Sequence, residues 1–246
     1  MVVELNLLYA FDYALIFILS LIQSIIGVGI LFFGTPLFIL LGFDFFYVQS
    51  ILLPTSLAVS IFTLKKSKHS FVINKYDLFM LFFIFCGVYI SSLIVSEMFL
   101  AFVGIIFICT ALLQLKKKYL SLTHYKIFRS NTVIYGIAFL HGISNQGGGL
   151  LVWWASLQNF GKDLRRTFVA KYYALMAAFQ ITSLMAIDSQ KFIKSFRIEI
   201  VLIGIISFLL GNNIFSKLQQ KNYEDIISIF MVLIGVVLLI NILGFM

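Results

Sequence analysis

His141, Ser144, Asn145 and Gln146 place four hydrogen-bonding side chains in an otherwise apolar stretch, and Gly147, Gly148 and Gly149 follow at once. Glycines leave backbone amides uncovered, and an unwound stretch feeding a helix N-terminus offers those donors together with a partial positive charge. That chemistry suits a small anion. A polar group left unpaired in hydrocarbon is costly, so these side chains either bind something or bond across helices. Glycines in a row also let two helices pack closely, and that alternative stands beside the binding one.

A second stretch has the same design. Gly27, Gly29, Gly34 and Pro36 interrupt the apolar run 24–42, with Gln23, Ser24 and Thr35 beside them. A shift of 119 residues superposes Gly29 on Gly148, Leu31 on Leu150, Gly42 on Gly161 and Asp44 on Asp163. Apolar helices interrupted at corresponding places in two halves of one chain point to a transporter's binding site. Past each break lies a polar stripe: Gln49, Ser56, Ser60 and Thr63 on one helical face, then Tyr173, Ala177 and Gln180 on another. Pro54 frees a carbonyl that Thr55 or Ser56 is placed to cover. The candidate substrate-binding set is Gly29, Thr35, Ser56, Asn145, Gln146, Gly147, Gly148 and Gly149.

The remaining polar residues suggest supporting roles. Lys171 is expected to snorkel to an interface, and Arg165 and Arg166 to anchor there. Glu97, Asp188 and Glu199 fall at segment ends, where solvation is expected, so no carboxylate is placed like a proton relay and the coupling ion is unassigned. His69 and His124 lie in basic loops and His141 has no partner at ligand spacing, so neither a metal nor a cofactor is expected. With no nucleophile and base pair either, an enzyme is not expected.

These residues are carried by a membrane chain. Of its 246 residues 61% are hydrophobic and 11% charged, in apolar segments that follow one another across short charged gaps. The segments are continuous rather than alternating, which implies helices and not a barrel. The net charge of +8 sits in the gaps and marks the cytoplasmic face, so nucleic-acid binding is not expected. Cys86 and Cys109 stand singly in apolar segments, as buried thiols would. Glu4 and Asp12 occupy the place where a signal peptide carries basic residues.

Eight apolar segments are expected, at about 5–41, 45–64, 76–96, 98–115, 131–160, 167–187, 198–215 and 226–243. Segment 131–160, at 30 residues, is too short for two crossings and a turn, so two half-length helices meeting at the glycines are expected in each break. If both breaks re-enter and return to their own side, 15 of the 18 lysines and arginines share one face. The positive-inside rule prefers that arrangement, although two short tilted helices that both cross would give a similar ladder. It yields an all-α membrane protein of two inverted repeats, 1–115 and 131–246, joined by a basic cytoplasmic linker at 116–130, with both termini outside.

The pattern resembles the TauE/SafE family of sulfite exporters and related anion permeases. Gly147 to Val152 resembles the family's glycine triplet and aliphatic run, Pro36-Leu37 and Leu41-Gly42 its first-repeat proline and closing glycine, and Pro54-Thr55-Ser56 its small polar patch. The chain departs from the pattern at Ile30 and Leu31, at Trp153 and Trp154, whose bulk would reshape the pocket, and at Ala155. The resemblance implies a multi-pass plasma-membrane permease for a small anion, such as sulfite, another sulfur oxyanion or an organosulfonate. Its partners would be that anion and the lipid bilayer, with a homo-oligomer left open. The opposing class is a non-transporting membrane scaffold or assembly protein.

Overall fold

A computed structural model describes residues 2–69, 72–91, 93, 105–106, 109–110, 112, 132–158 and 160–219. Expected segments 98–115 and 226–243 and the linker 116–130 lie wholly or mostly outside the described residues. Eight helices of ten or more residues and no strand occur among the described residues: α1 (Val2–Ile26), α2 (Ile30–Leu40), α3 (Phe45–Lys66), α4 (Lys75–Ser91), α5 (Thr132–Ser144), α6 (Gly147–Ser156), α7 (Lys162–Ser195) and α8 (Ile198–Lys217).

Local chemistry sets the helix ends. Asp44 Oδ1 accepts from Tyr47 N at 3.1 Å and starts α3, which closes on Lys65 and Lys66, cations against the negative end of its dipole. Asn74 Oδ1 accepts from the amides of Tyr76 and Asp77, while Asp77 Oδ2 accepts from Asn74 N, a reciprocal cap for α4. Thr55 Oγ1 bonds the Ile51 carbonyl and Ser56 Oγ bonds Gln23, so neither covers the carbonyl that Pro54 frees. Near its end α7 is interrupted at Asp188 (φ −152°, ψ 88°), whose carboxylate accepts from Lys191 N and restarts the helix.

Both glycine breaks appear, but unequally. At about 1.5 Å rise per residue, α2, α5 and α6 are half-length elements, whereas the 25-residue α1 is a full crossing in length. The first break is thus a long helix and a half-helix, not two halves. Helices α3 and α8 are long and apolar enough to cross a bilayer. Exposed Leu78, Phe79, Phe82 and Phe85 on α4, with Leu202, Ile206, Leu209 and Leu210 on α8, give an apolar perimeter that water would not tolerate. The interior holds an apolar core together with buried polar groups such as Gln23, Asn145, Gln146 and Gln180.

Side-chain contacts order the bundle ends. Ser67 Oγ meets Thr167 Oγ1 at 2.6 Å, Lys171 Nζ meets Asp77 Oδ2 at 2.8 Å, and Tyr135 OH donates to the Tyr76 carbonyl. At the opposite end Arg197 donates to Tyr13 OH at 2.6 Å and Lys191 reaches Asp44 at 3.3 Å. Hence α3 and α7 run antiparallel, α1 lies along α8 in the same direction, and α4 lies along α5 likewise. The α4 and α5 backbones nearly touch: a Cβ on Gly87 would lie 2.4 Å from the Phe139 carbonyl, and one on Gly142 2.5 Å from that of Ile84. Only glycine permits that approach.

Three sequence expectations change. Lys171 does not snorkel: at 11% exposure it pairs with Asp77, itself 4% exposed. Arg165 and Arg166 are buried, Arg166 Nη1 bonding Asn212 and its guanidinium lying over the Phe215 ring at 4.1 Å. Cys86 is half-buried and Cys109 exposed, rather than both buried.

Two outcomes follow from this packing. With Cys86 and Cys109 replaced by serine, Ser67→Cys with Thr167→Cys forms an intramolecular disulfide under mild oxidation, seen as a reducible shift on a non-reducing gel; two free thiols would contradict the α3–α7 alignment. Asp77→Asn lowers stability by about 3 kcal/mol or more, since Lys171 loses its buried partner, while Asp77→Leu with Lys171→Met recovers most of it in detergent unfolding.

Candidate functional site

At the first break the helix restarts against its own first half. A Cβ on Gly29 would lie 2.6 Å from both Gln23 N and the Leu19 carbonyl. Gly27, at φ +98°, makes the turn and packs its face against Val169. A helix that begins inside the bundle leaves its first amides without intrahelical partners. Gln23 Oε1 accepts from Ile30 N at 3.1 Å, and Tyr173 OH accepts from Phe32 N at 3.1 Å. The Gln23 Nε2 donates to the Ser56 carbonyl, Ser56 Oγ and Ser60 Oγ at 2.9, 3.0 and 3.1 Å, so Ser56 and Ser60 of the α3 stripe hold this cap in place.

The second break turns through Asn145, whose φ of +62° is the left-handed region that asparagine tolerates better than most side chains. Its side chain ties three helices together. Asn145 Nδ2 donates to Thr35 Oγ1 on α2 at 2.8 Å, and Gln180 Nε2 on α7 donates to Asn145 Oδ1 at 2.7 Å. Helix α6 then begins with Gln146 at its N-cap and no side-chain cap bond. Gln146 Nε2 turns back to the Ser144 carbonyl at 3.2 Å. His141, Gln146 and Gln180 are wholly buried, yet His141 Nδ1 and Nε2, Gln146 Oε1 and Gln180 Oε1 have no hydrogen-bond partner among the described residues. Buried polar atoms of this kind are rare and each needs an explanation.

The two breaks meet. A Cβ on Gly148 would lie 3.2 Å from Val28 Cγ1 of the first break, and 2.9 Å and 3.2 Å from Cε2 and OH of Tyr173. A Cβ on Gly149 would strike the Phe32 ring at 2.4 Å, and one on Gly147 would lie 2.6 Å from His141 Cβ. The expectation that the glycines leave their amides uncovered is therefore corrected: Tyr173, Val28, Phe32 and His141 close over the triplet. The Tyr173 hydroxyl rests between the starts of α2 and α6, accepting from one helix and abutting the other. Its ring also stands edge-on to His141, with centroids 5.4 Å apart.

Of the eight candidate residues, Thr35, Asn145, Gln146 and the three glycines gather at this junction. Gly29 packs on α1, and Ser56 is occupied by Gln23. Tyr173 and Gln180 were visible as a stripe but not as members of the junction, because their reach across the bundle is set by how α7 packs. Gln23 was visible only as a polar residue near a break. Asp77 was missed, although the spacing Asn74-x-x-Asp77 marks a helix start; its partner, 94 positions away, left no local signal.

Neither a curated protein nor a solved structure matches the chain. A family model does match, that of the sulfite exporter TauE/SafE, over residues 13–238, which takes in both breaks and nearly the whole length. With its helical bundle, apolar perimeter and paired glycine breaks, the chain belongs to the TauE/SafE sulfite exporter family of membrane transporters.

Proposed function

We propose that this protein is a plasma-membrane permease for a small sulfur oxyanion or organosulfonate, working by alternating access between two inverted repeats, 1–115 and 131–246. The observation that carries the reading is the meeting of the two interior helix starts, α2 and α6, at Tyr173. Two positive helix ends at one point concentrate donors for an anion where water is excluded. In the present arrangement the Tyr173 oxygen holds that place. The anion takes it when α7 shifts, and the amides of α6, left without a side-chain cap, become its ligands.

Inversion is supported by where the broken pairs return. The α1–α2 pair leaves the bundle end that holds Tyr13 and returns to it at Asp44, while α5–α6 leaves the basic end at Tyr135 and returns to it at Phe160. Exchanging the halves also maps the packing onto itself: α1 against α8 becomes α5 against α4, and α3 against α7 is its own counterpart. Such symmetry suits a mechanism in which the halves alternate roles. Lys65, Lys66, Lys75, Lys162, Arg165, Arg166 and Lys217 cluster at the end of the Ser67–Thr167 contact, which the positive-inside rule makes cytoplasmic.

The competing reading is a non-transporting scaffold, and the tight contacts at all three glycines of the triplet favour it. Transport separates the two. Gly148→Ala moves the Tyr173 ring and narrows access to the amides, so sulfite flux in vesicles should fall about tenfold or more, a cost of roughly 1.4 kcal/mol, at equal membrane abundance. Gly136→Ala, where a Cβ meets nothing within 4 Å, should leave it unchanged. Equal flux in both variants would favour the scaffold.

Topology has its own check. In the cysteine-free background, Lys68→Cys and Asp163→Cys should resist an impermeant thiol reagent applied to intact cells, while Lys194→Cys should react. Reaction at one of the first two alone would mean that a broken pair crosses and that the repeats are not inverted.

A further inference from the structure

The partnerless atoms at the second break are not all donors. Gln146 Nε2 faces the Ser144 carbonyl, which can only accept, so the amide orientation is set and Oε1 is the atom left over, wholly buried. His141 adds one donor and one acceptor in its neutral form, beside Gly147 at the start of α6. A fully deprotonated oxyanion has only acceptors. It would satisfy the α6 amides and one imidazole N–H, yet set a negative oxygen against Gln146 Oε1. An oxyanion that keeps one proton has the missing donor.

On the anion-site reading above, we propose that the second break takes its oxyanion in the singly protonated form, the α6 amides meeting the charge and the ligand O–H donating to Gln146 Oε1, with His141 as the adjoining donor. The ligand class is a hydrogen oxyanion, of which hydrogensulfite is the form that sulfite offers. Titratable groups at this level are few. Tyr173 faces His141 from α7, α4 presents Ile84 and Gly87 to α5, α2 and α6 contain no ionisable residue, and Lys171 is engaged by Asp77.

The test is calorimetric titration of the purified full-length protein with sodium sulfite and with sodium methanesulfonate, near pH 6 and near pH 8.5. Sulfite is largely protonated at the lower value and largely deprotonated at the higher. Methanesulfonate stays a monoanion without an O–H, and so reports any change in the protein's own charge. We expect sulfite to bind about tenfold or more tightly at the lower pH than at the higher, and to outbind methanesulfonate there by a similar factor, since a buried acceptor built for an O–H rejects a ligand lacking it. Gln146→Met should abolish that discrimination; should this variant fail to fold, the comparison of two ligands at two pH values decides alone. Equal binding of both ligands, lost together in Gly148→Ala, would leave the anion site standing and overturn the protonated form. Binding of neither ligand would overturn the site as well.

Discussion

A helix that starts inside a bilayer leaves its first backbone amides where no water can reach them, and the interior of this protein is arranged around that constraint. At α2 the amides are met by Gln23 from the preceding helix and by Tyr173 from the other half of the chain. Two members of the α3 stripe hold the first of these: Ser56 and Ser60 take up the donors of Gln23 so that its carbonyl oxygen faces Ile30. Buried hydroxyls and amides usually threaten a membrane core. Here each bond completes another group's valence, and the cluster is anchored to the helix end that needs it.

The second helix start is treated differently. No side chain caps α6, and the junction holds its shape through Asn145, which turns the backbone and bonds both Thr35 and Gln180. A capped break and an uncapped one are thus brought face to face. The capped side is structural. The missing side chains of the triplet bring α6 against Val28, Phe32 and Tyr173, and no side-chain hydrogen bond caps its start. The Tyr173 hydroxyl lies where the two helix starts meet.

Ion pairs hold the two ends of the bundle with unequal strength. Asp77 and Lys171 join α4 to α7 in near-complete burial, whereas Asp44 and Lys191, at 63% and 49% exposure, are wet and contribute little. The basic end is thus tied across the halves by a desolvated charge pair and the opposite end by the Arg197–Tyr13 contact and exposed charges.

Much was determined by the sequence alone: apolar helices of membrane character and their breaks at Gly27–Gly29 and near Gly147 follow from composition and glycine placement, which act over one or two turns, and the motifs at Gly147 to Val152 and Pro36-Leu37 carried the resemblance to a transporter family. Asn145 and Gln146 stood out for the same local reason, as polar residues in an apolar run. Tertiary structure alone decided which amides are capped and by what, because Gln23 meets Ser56 across 33 positions and Tyr173 meets Phe32 across 141. It also turned Lys171 from a surface cation into half of a buried pair, and covered a glycine triplet that looked open. A local pattern states that a group needs a partner; only the packing of distant helices decides which partner arrives.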